Sequence, residues 1–362
     1  MKQPVITLLG RTDKPTDAVE EYCRYLGEAL QDRGFLLEIH RVSWEIHGWP
    51  GALDALKLKA KHWCGNCVLI QYTALAWSAR GFPQRVLRVL KVLKSAGVRL
   101  GVVFHDVRPF AGQRLVDFAR RAMQRRTMRR VLSQAEFAIF TVPLEKISWL
   151  PTARSHATFI PVGPNLPIPS PAPISTRKDL PAVGVFSITG GQAGVHETEL
   201  ILGAVRHASQ MLGALRLSVF GRHAELREAA LRSGLKNLPV QLSVEGVAEA
   251  ERIVRMLCSC DVLLFVRGSI SSRRGSAIAG IACGLPVIAF SGAETASPIT
   301  EAGVVLVAPG QADQLNAALL RVLSDREYWD ALAARSRAAY ETYFSWHSIA
   351  ARFAEVLKKQ LG

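Results

Sequence analysis

RGSISSRRGSAIAGIACGLPVIAF, residues 267–290, is the stretch on which the fold prediction rests. It follows the apolar run DVLLFV, residues 261–266. Its pattern predicts a strand end, a polar loop, a short helix over about 276–283 and a buried strand over 287–290. Gly284 supplies the left-handed turn that ends such a helix, and Pro286 follows it closely. Strand, helix and strand in this order predict a βαβ unit of a parallel sheet.

The loop inside this stretch has the features of an anion site. A loop that leaves a parallel strand and enters a helix presents free backbone N–H groups and the positive end of the helix dipole. A guanidinium at its mouth adds a bidentate phosphate ligand. We therefore expect a nucleotide diphosphate here. The alternative is an ordinary α/β crossover with surface arginines. The residues concerned are Ser271, Ser272, Arg273, Arg274, Gly275 and Ser276.

The rest of the chain alternates strands and helices in two halves. We predict an α/β protein with two Rossmann-like, doubly wound parallel-sheet domains that face a central cleft. The predicted parts are a first domain over 1–165, a proline-rich linker over 166–181, a second domain over 182–342, and a C-terminal helix over 343–362 that packs back on the first domain.

Composition indicates a globular protein with an anionic partner. The 362 residues are 49% hydrophobic and 21% charged, and no apolar run approaches the roughly 20 residues of a membrane-spanning helix. A cytoplasmic protein is expected. The net charge of +15 is concentrated in residues 1–170, which hold 25 lysines and arginines against 13 acids. This surplus favours a membrane surface, a nucleic acid or a polyanionic substrate.

The six cysteines do not predict a metal site. Cys64 and Cys67 have C-x-x-C spacing, but no second Cys or His pair completes a zinc site. The pair also comes before a strand, whereas a thioredoxin-like motif opens a helix. We interpret all six as reduced, mostly packing thiols.

Three motifs of the second half resemble the nucleotide-sugar-binding domain of GT-B glycosyltransferases, close to family 4. They are ACGLPVI at 282–288, EAGVVLV with PG at 301–310, and FSW at 344–346. In the first half, VVFHD at 102–106 is similar to the strand and His-Asp loop that face the donor in that family, and FIPVGPN at 159–165 is similar to its interdomain crossing. The resemblance implies a nucleotide-sugar donor bound by the second domain and an acceptor bound by the first.

Two pairs of family residues are missing. Ser271 and Ala279 stand where the family has two glutamates that contact the donor sugar and the ribose. Gly191 and His196 stand where it has an Arg and a Lys for the diphosphate. We expect the arginines and amides of the 271–276 loop to carry the diphosphate instead, with the serine hydroxyls on the sugar.

The candidate catalytic residues lie near strand ends of the first half. His105 with Asp106 can contact the sugar or the reacting centre; the alternative is a turn capped by Asp106. Asp17 or Glu20 can serve as a base; the alternative is a helix cap, because the two have capping-box spacing.

Further candidates line each side of the expected cleft. On the acceptor side they are Arg11, Thr12, Asp13, Lys14, Tyr72 and Thr73, with the alternative that the loop is merely polar and the aromatic belongs to the core. On the donor side they are Gly190, Gly191, His196 and Arg222, with the alternative that Arg222 is solvated. The glycines of 189–194 do not match the dinucleotide fingerprint G-x-G-x-x-G.

The expected function is transfer of a sugar from a nucleotide-sugar donor to an acceptor hydroxyl, with no cofactor and no metal, and with retention if family 4 is the right comparison. The acceptor is expected to be a glycan or a lipid-linked saccharide. Arginines on a predicted helix over 113–132 suit an anionic membrane surface; the alternative is a surface helix whose apolar face is buried in the domain. A nucleic-acid partner is not expected. The alternatives are a GT-B protein that binds nucleotide sugars without transfer, and a nucleotide-sugar epimerase.

Overall fold

The computed structural model of the protein describes residues 2–13, 16–151, 156–169 and 179–361. The chain divides into two compact units, Met1–Pro161 with Trp346–Gly362, and Val162–Ser345. Part of the predicted linker, residues 170–178, and Lys14 lie outside the described residues. Within the described ranges, every helix is too short or too polar to cross a membrane.

The first unit is built on a six-stranded parallel sheet with the strand order β2-β1-β3-β4-β5-β6. The strands are β1 Gln3–Leu9, β2 Phe35–Arg41, β3 Cys67–Tyr72, β4 Arg99–Phe104, β5 Phe137–Phe140 and β6 Ala157–Phe159. Its helices, numbered along the chain, are α1 Ala18–Gln31, α2 Trp44–Ala60, α3 Val86–Ser95, α4 Leu115–Gln134 and the C-terminal α11 Trp346–Leu361.

The core of this unit follows from strands that are buried on both faces. β3 and β4 are almost continuous apolar runs, as expected where helices cover a parallel sheet. Phe104 of β4 stacks on Phe140 of β5 with ring centroids 4.7 Å apart. α11 packs on α1, where Trp346 contacts Tyr22 and Tyr25 at centroid distances of 5.4 and 5.8 Å. The last helix of the chain thus belongs to the first unit.

The second unit contains another six-stranded parallel sheet, with the order β12-β11-β10-β7-β8-β9. Its strands are β7 Ala182–Phe186, β8 Leu215–Phe220, β9 Val240–Glu245, β10 Val262–Ser269, β11 Val287–Phe290 and β12 Val304–Val307. Its helices are α5 Gly191–Leu212, α6 Glu228–Gly234, α7 Ala250–Cys258, α8 Gly275–Ala282, α9 Ala312–Ser324 and α10 Arg326–Ala339.

The quoted stretch 267–290 forms the predicted βαβ unit. β10 continues to Ser269, three residues beyond the apolar run that ends at Val266. α8 ends where Gly284 takes a φ of 71°, and β11 then pairs with β10 and β12. The prediction of two doubly wound parallel sheets is confirmed.

Each sheet has one place where the strand order reverses direction along the chain. It lies between β1 and β3 in the first sheet and between β7 and β10 in the second. Open α/β sheets bind ligands beyond the carboxyl ends of the strands at such switch points. Both candidate sites described below lie there.

Candidate functional site

A cavity of about 220 Å³ lies at the β1/β3 switch point of the first unit. It brings together five of the predicted residues, and Gln71 joins them. Three carboxylates and a guanidinium therefore line one cavity. The predicted lining residues are Arg11, Asp13, Asp17, Thr73 and Asp106.

The floor of the cavity depends on a close approach of two loops. The backbone N–H of Arg11 donates to the carbonyl of Ala76 at 2.9 Å. A Cβ atom at Gly10 would lie 2.1 Å from that same carbonyl oxygen, so the position admits only glycine. The loops that follow β1 and β3 are held together at this point.

Asp17 is occupied by structural contacts. Its carboxylate caps α1 by accepting from the N–H groups of Val19 and Glu20, both at 3.2 Å, and it accepts from Arg41 at 3.2 Å. The Glu20 side chain pairs with Arg41 at 2.5 Å instead of completing the capping box. Asp17 also lines the cavity. The structure shows Asp17 as the N-cap of α1, and its catalytic role stays a prediction.

His105 is held by a chain of polar contacts through buried strand residues. Its Nε2 lies 2.7 Å from Oε1 of Gln71, and Nε2 of Gln71 donates to the hydroxyl of Thr7 at 2.8 Å. Thr7 and Gln71 are 0% and 1% exposed. The Tyr22 ring meets the imidazole edge-on at 4.9 Å. These contacts fix the ring orientation, and because Gln71 Oε1 accepts, His105 Nε2 carries a proton.

Sequence reasoning missed Gln71. The signal available was one polar residue inside the apolar run 67–72, in a strand expected to be buried on both faces. Buried polar side chains are hydrogen-bonded, so such a residue has partners that the sequence does not identify.

Two predicted acceptor residues lie apart from the cavity lining. The Tyr72 side chain is completely buried in the core, 5.2 Å from the Phe104 ring, because it points opposite to its neighbours Gln71 and Thr73 on β3. Burial raises its pKa above the ordinary value, and the charge of Asp106 adds to this. Thr12 is exposed on the loop. Tyr72 ends β3 and Thr73 follows it, and of these two residues Thr73 lines the cavity.

In the second unit, the two arginines of the 271–276 loop have protein partners. Arg273 Nε donates to Glu294 Oε2 at 2.8 Å, and the two side chains are 21% and 9% exposed. Arg274 Nε donates to the carbonyl of Ser269 at 3.3 Å. These contacts orient both guanidinium groups within the unit. A phosphate bound by these guanidinium groups would have to displace their protein partners or share the guanidinium groups with them.

The amino end of α8 remains half-exposed at Gly275 and Ser276. A Cβ atom at Gly275 would lie 2.8 Å from the Asn165 side-chain oxygen, so that amide already touches this end of the helix. Ser271 is buried, and no described residue bonds to its hydroxyl. The loop thus retains a helix end and a hydroxyl for a ligand.

The remaining predicted donor residues surround the turn between β7 and α5. Gly190 and Gly191 form the start of α5, with Gly191 at a φ of 67°. Arg222 follows β8, and its N–H donates to the Ser187 hydroxyl at 3.2 Å. His196 lies outside this group: its side chain is 70% exposed and pairs with Glu199 at 3.7 Å.

Across the described ranges, no group of three or more His, Cys, Asp or Glu side chains is arranged to hold a metal ion. Burial raises the pKa of the Cys67 thiol to about 12, and Cys64 is exposed. Both cysteines of the C-x-x-C pair are free thiols.

Comparison with known proteins agrees with this geometry. Residues 187–325, little more than a third of the chain and most of the second unit, match the family model of glycosyl transferases group 1. The comparison with curated protein sequences found no match.

Solved structures resemble the chain over almost its full length. Anabaena Alr3699/HepE in complex with UDP and glucose shares 15% identity at a TM-score of 0.64, covering 99% of this chain and 100% of that one. The same protein in complex with UDP-glucose shares 16% identity at a TM-score of 0.63, covering 98% of this chain and 99% of that one. A glycosyltransferase from Rickettsia africae ESF-5 shares 13% identity at a TM-score of 0.67, covering 99% of each chain.

Two parallel six-stranded sheets in series, each flanked by helices, define the two-domain GT-B α/β fold, and these structures share it. The second unit carries the sequence pattern of glycosyl transferases group 1 in addition.

Proposed function

We propose that the protein is a glycosyltransferase that moves a sugar from a nucleotide-sugar donor to an acceptor hydroxyl. The observation that carries the proposal is the coincidence of the group 1 pattern with a switch-point site in the second unit. HepE, which shares the fold, is described in complexes with UDP and UDP-glucose. The second unit is the part that binds the donor.

The cavity of the first unit supplies the acceptor side. Asp13, Asp17 and Asp106 present carboxylates, and Arg11 and Thr73 present donors, which suits a polyhydroxylated acceptor. In the reaction, the bond between the anomeric carbon and the diphosphate oxygen breaks, the bond to the acceptor oxygen forms, and the proton of the acceptor hydroxyl passes to the departing diphosphate. His105 bonds to Gln71, which lines the cavity, and we assign His105 a contact with the sugar.

Catalysis of this kind rests on positioning and on stabilising the departing diphosphate by fixed positive groups. Arginines and helix amides of the second unit are such groups. We further propose that the reaction needs no metal and retains the anomeric configuration, as the family 4 resemblance implies.

The test is transfer over a panel of nucleotide sugars, with release of nucleoside diphosphate measured in the presence and absence of a mixture of glycan and lipid-linked acceptors. Acceptor-dependent release supports the proposal. NMR of the product's anomeric proton tests retention, and unchanged activity in EDTA tests metal independence.

Two other outcomes would each replace the proposal. Tight donor binding with no release would indicate a binding protein that has lost transfer, a reading favoured by the missing glutamates at positions 271 and 279. Conversion of the donor sugar without an acceptor would indicate an epimerase. His105→Ala and Asp106→Asn are the informative variants, because each should reduce transfer while leaving donor binding by the second unit measurable.

We also propose peripheral association with anionic membrane. The amino-terminal half of α4 is inverted in polarity: Leu115, Val116 and Phe118 are 90%, 47% and 56% exposed, whereas Asp117 and Gln124 are buried. Exposed arginines follow along the same helix at 125, 126, 129 and 130. Exposed apolar groups beside cations match the interface of an anionic bilayer.

Vesicle cosedimentation tests this association. Vesicles containing 30% phosphatidylserine should retain the protein, and pure phosphatidylcholine vesicles should not. Leu115→Ser with Phe118→Ser should reduce binding about tenfold or more, since each removes roughly 1.5–3 kcal/mol of apolar transfer. Leu226→Ser, at a 70% exposed leucine in the other unit, is the matched control. Equal binding of both variants would refute the assignment.

A further inference from the structure

The turn between β7 and α5 lies at the switch point of the second sheet and is surrounded by basic side chains. Arg227 donates to the carbonyl of Gly191 at 2.7 Å. A Cβ atom at Gly190 would lie 3.4 Å from Nε2 of His223, so the imidazole rests against the turn. Arg222 precedes that histidine, and its carbonyl accepts from the N–H of Ile188 at 2.9 Å. Residues from the end of β8 are thus fastened to the turn.

Arg267 reaches the same place from the other neighbouring strand. In the parallel register of β10 and β7, Val262 pairs with Val183 and Leu263 with Gly184. Beyond these pairs β7 ends at Phe186, whereas β10 runs on to Ser269, so Arg267 lies near the carboxyl end of β7, where the turn begins. Arg222 and Arg267 therefore come from the strands on the two sides of β7 and lie at its carboxyl end.

The Arg267 side chain lacks a partner suited to its burial. Its Nε is buried, and in the part of the chain that the structure describes no atom accepts a hydrogen bond from it. Burial lowers the pKa of Arg267; the negative charge of Glu197 opposes this, and the positive charge of Arg222 adds to it. Because arginine stays protonated in proteins, the buried Nε–H of Arg267 is a charged donor that has no acceptor among the described residues.

Glu197 is committed elsewhere. Its Oε2 accepts from the N–H of Thr189 at 2.7 Å, and the residue is 5% exposed. It holds the turn in shape and offsets part of the positive charge, but it makes no ion pair with Arg267 within 4 Å among the described residues. The cluster retains a donor that an external anion can use.

We propose that Arg267 and Arg222 bind the pyrophosphate group of a nucleoside diphosphate at the β7–α5 turn. They would replace the Arg and Lys that GT-B family 4 places near 191 and 196, and they would relieve the 271–276 loop of that role. Two planar guanidinium groups on opposite sides of a turn can each make bidentate contacts with phosphate oxygens. The assignment rests on the proposed function, and it adds a residue, Arg267, that no sequence motif singled out.

The test is isothermal titration of the full chain with inorganic pyrophosphate, UDP, GDP, CDP and ADP. Loss of one charge-assisted contact should weaken binding of the best of these probes about tenfold to a hundredfold in Arg267→Met and in Arg222→Met. Arg232→Met is the matched control. Arg232 lies on α6, its side chain is 59% exposed, and it forms a surface ion pair with Glu228.

The outcomes separate the two proposals. If the wild-type chain binds none of the five probes, both this site and the proposed function fall. If it binds one of them and Arg267→Met binds it as tightly as Arg232→Met, only the site falls. Should Arg267→Met fail to fold by circular dichroism, the half-exposed Arg222→Met decides in the same way. Inorganic pyrophosphate shows whether the lost affinity lies in the phosphates, since it has no base or sugar.

Discussion

The ion pair of Arg273 and Glu294 offers a quantitative test of whether the 271–276 loop is built for stability or for phosphate. Arg273 Nε and Glu294 Oε2 are 2.8 Å apart, and only 21% and 9% of their side chains are exposed. Removing one partner of a buried pair costs about 3–5 kcal/mol, because a charge is left without water or a counterion. Partial exposure of Arg273 lets some water reach Glu294, so we expect about 2–3 kcal/mol for Arg273→Met.

A double-mutant cycle isolates the pair. Replacing both partners with apolar side chains of similar size removes the stranded charge, so Arg273→Met with Glu294→Met should be more stable than the sum of the single changes implies. We expect a coupling free energy of about 2 kcal/mol.

The assay can be confined to the second unit. Trp329 is the one tryptophan of Val162–Ser345, it is 3% exposed, and its Nε1 donates to the carbonyl of Asp261 at 2.6 Å. Of the seven tryptophans that fluorotryptophan labelling marks, Trp329 therefore gives the one ¹⁹F resonance that reports this unit during urea unfolding. Additive free energies would refute the buried-pair reasoning. Loss of nucleotide affinity at unchanged stability would instead identify Arg273 as a phosphate ligand.

Three further predictions concern packing and reactivity. Gly303→Ala should lower the free energy of unfolding by about 1–3 kcal/mol, because its Cβ would lie 1.9 Å from a backbone carbonyl oxygen. Gly203→Ala on α5 should raise it by about 0.5–1 kcal/mol, because the added Cβ would meet the Asn316 side-chain oxygen at an ordinary 3.7 Å; thermal unfolding measures both. Thr7→Val and Gln71→Leu should each lower the free energy of unfolding by about 1–3 kcal/mol, because each change alone leaves a buried polar group without its partner. The double variant should lose less than the sum of the two single losses. Urea unfolding midpoints that shift additively would contradict this. Cys64, the exposed thiol, should react first with a disulfide reagent at pH 8, and a fast phase that persists in Cys64→Ser would show otherwise.

The sequence predicted the fold because its signals are local and repeated. Apolar runs such as 67–72 and 287–290 are long enough for buried strands, and Gly284 marks a helix end that the structure places at a φ of 71°. The helix predicted over 113–132 spans Leu115–Gln134. Periodicity fixes such elements to within a few residues, since their cause lies in neighbouring side chains.

The candidate site was predictable only as far as strand ends. Asp106 and Thr73 follow strands, so their place at a sheet edge could be anticipated. Which side chains meet depends on strand order, and the hydrogen bond from Gln71 to Thr7 joins β3 to β1, 64 residues apart. Arg267 was missed for the same reason. It appeared as the residue after an apolar run, while its importance comes from lying next to β7, whose sequence is some 80 residues earlier.

The absence of glutamates at positions 271 and 279 and the presence of arginines at 222 and 267 fit one physical pattern. Ala279 is 0% exposed on α8, an environment in which a carboxylate would have neither water nor a counterion unless a ligand supplied one. Ser271, at the other glutamate position, offers a buried hydroxyl and no charge. A donor held in this unit would then owe its affinity more to its phosphates than to its sugar hydroxyls. Binding should accordingly fall sharply from a nucleoside diphosphate to the monophosphate, and it should change little between nucleotide sugars that differ at one hydroxyl.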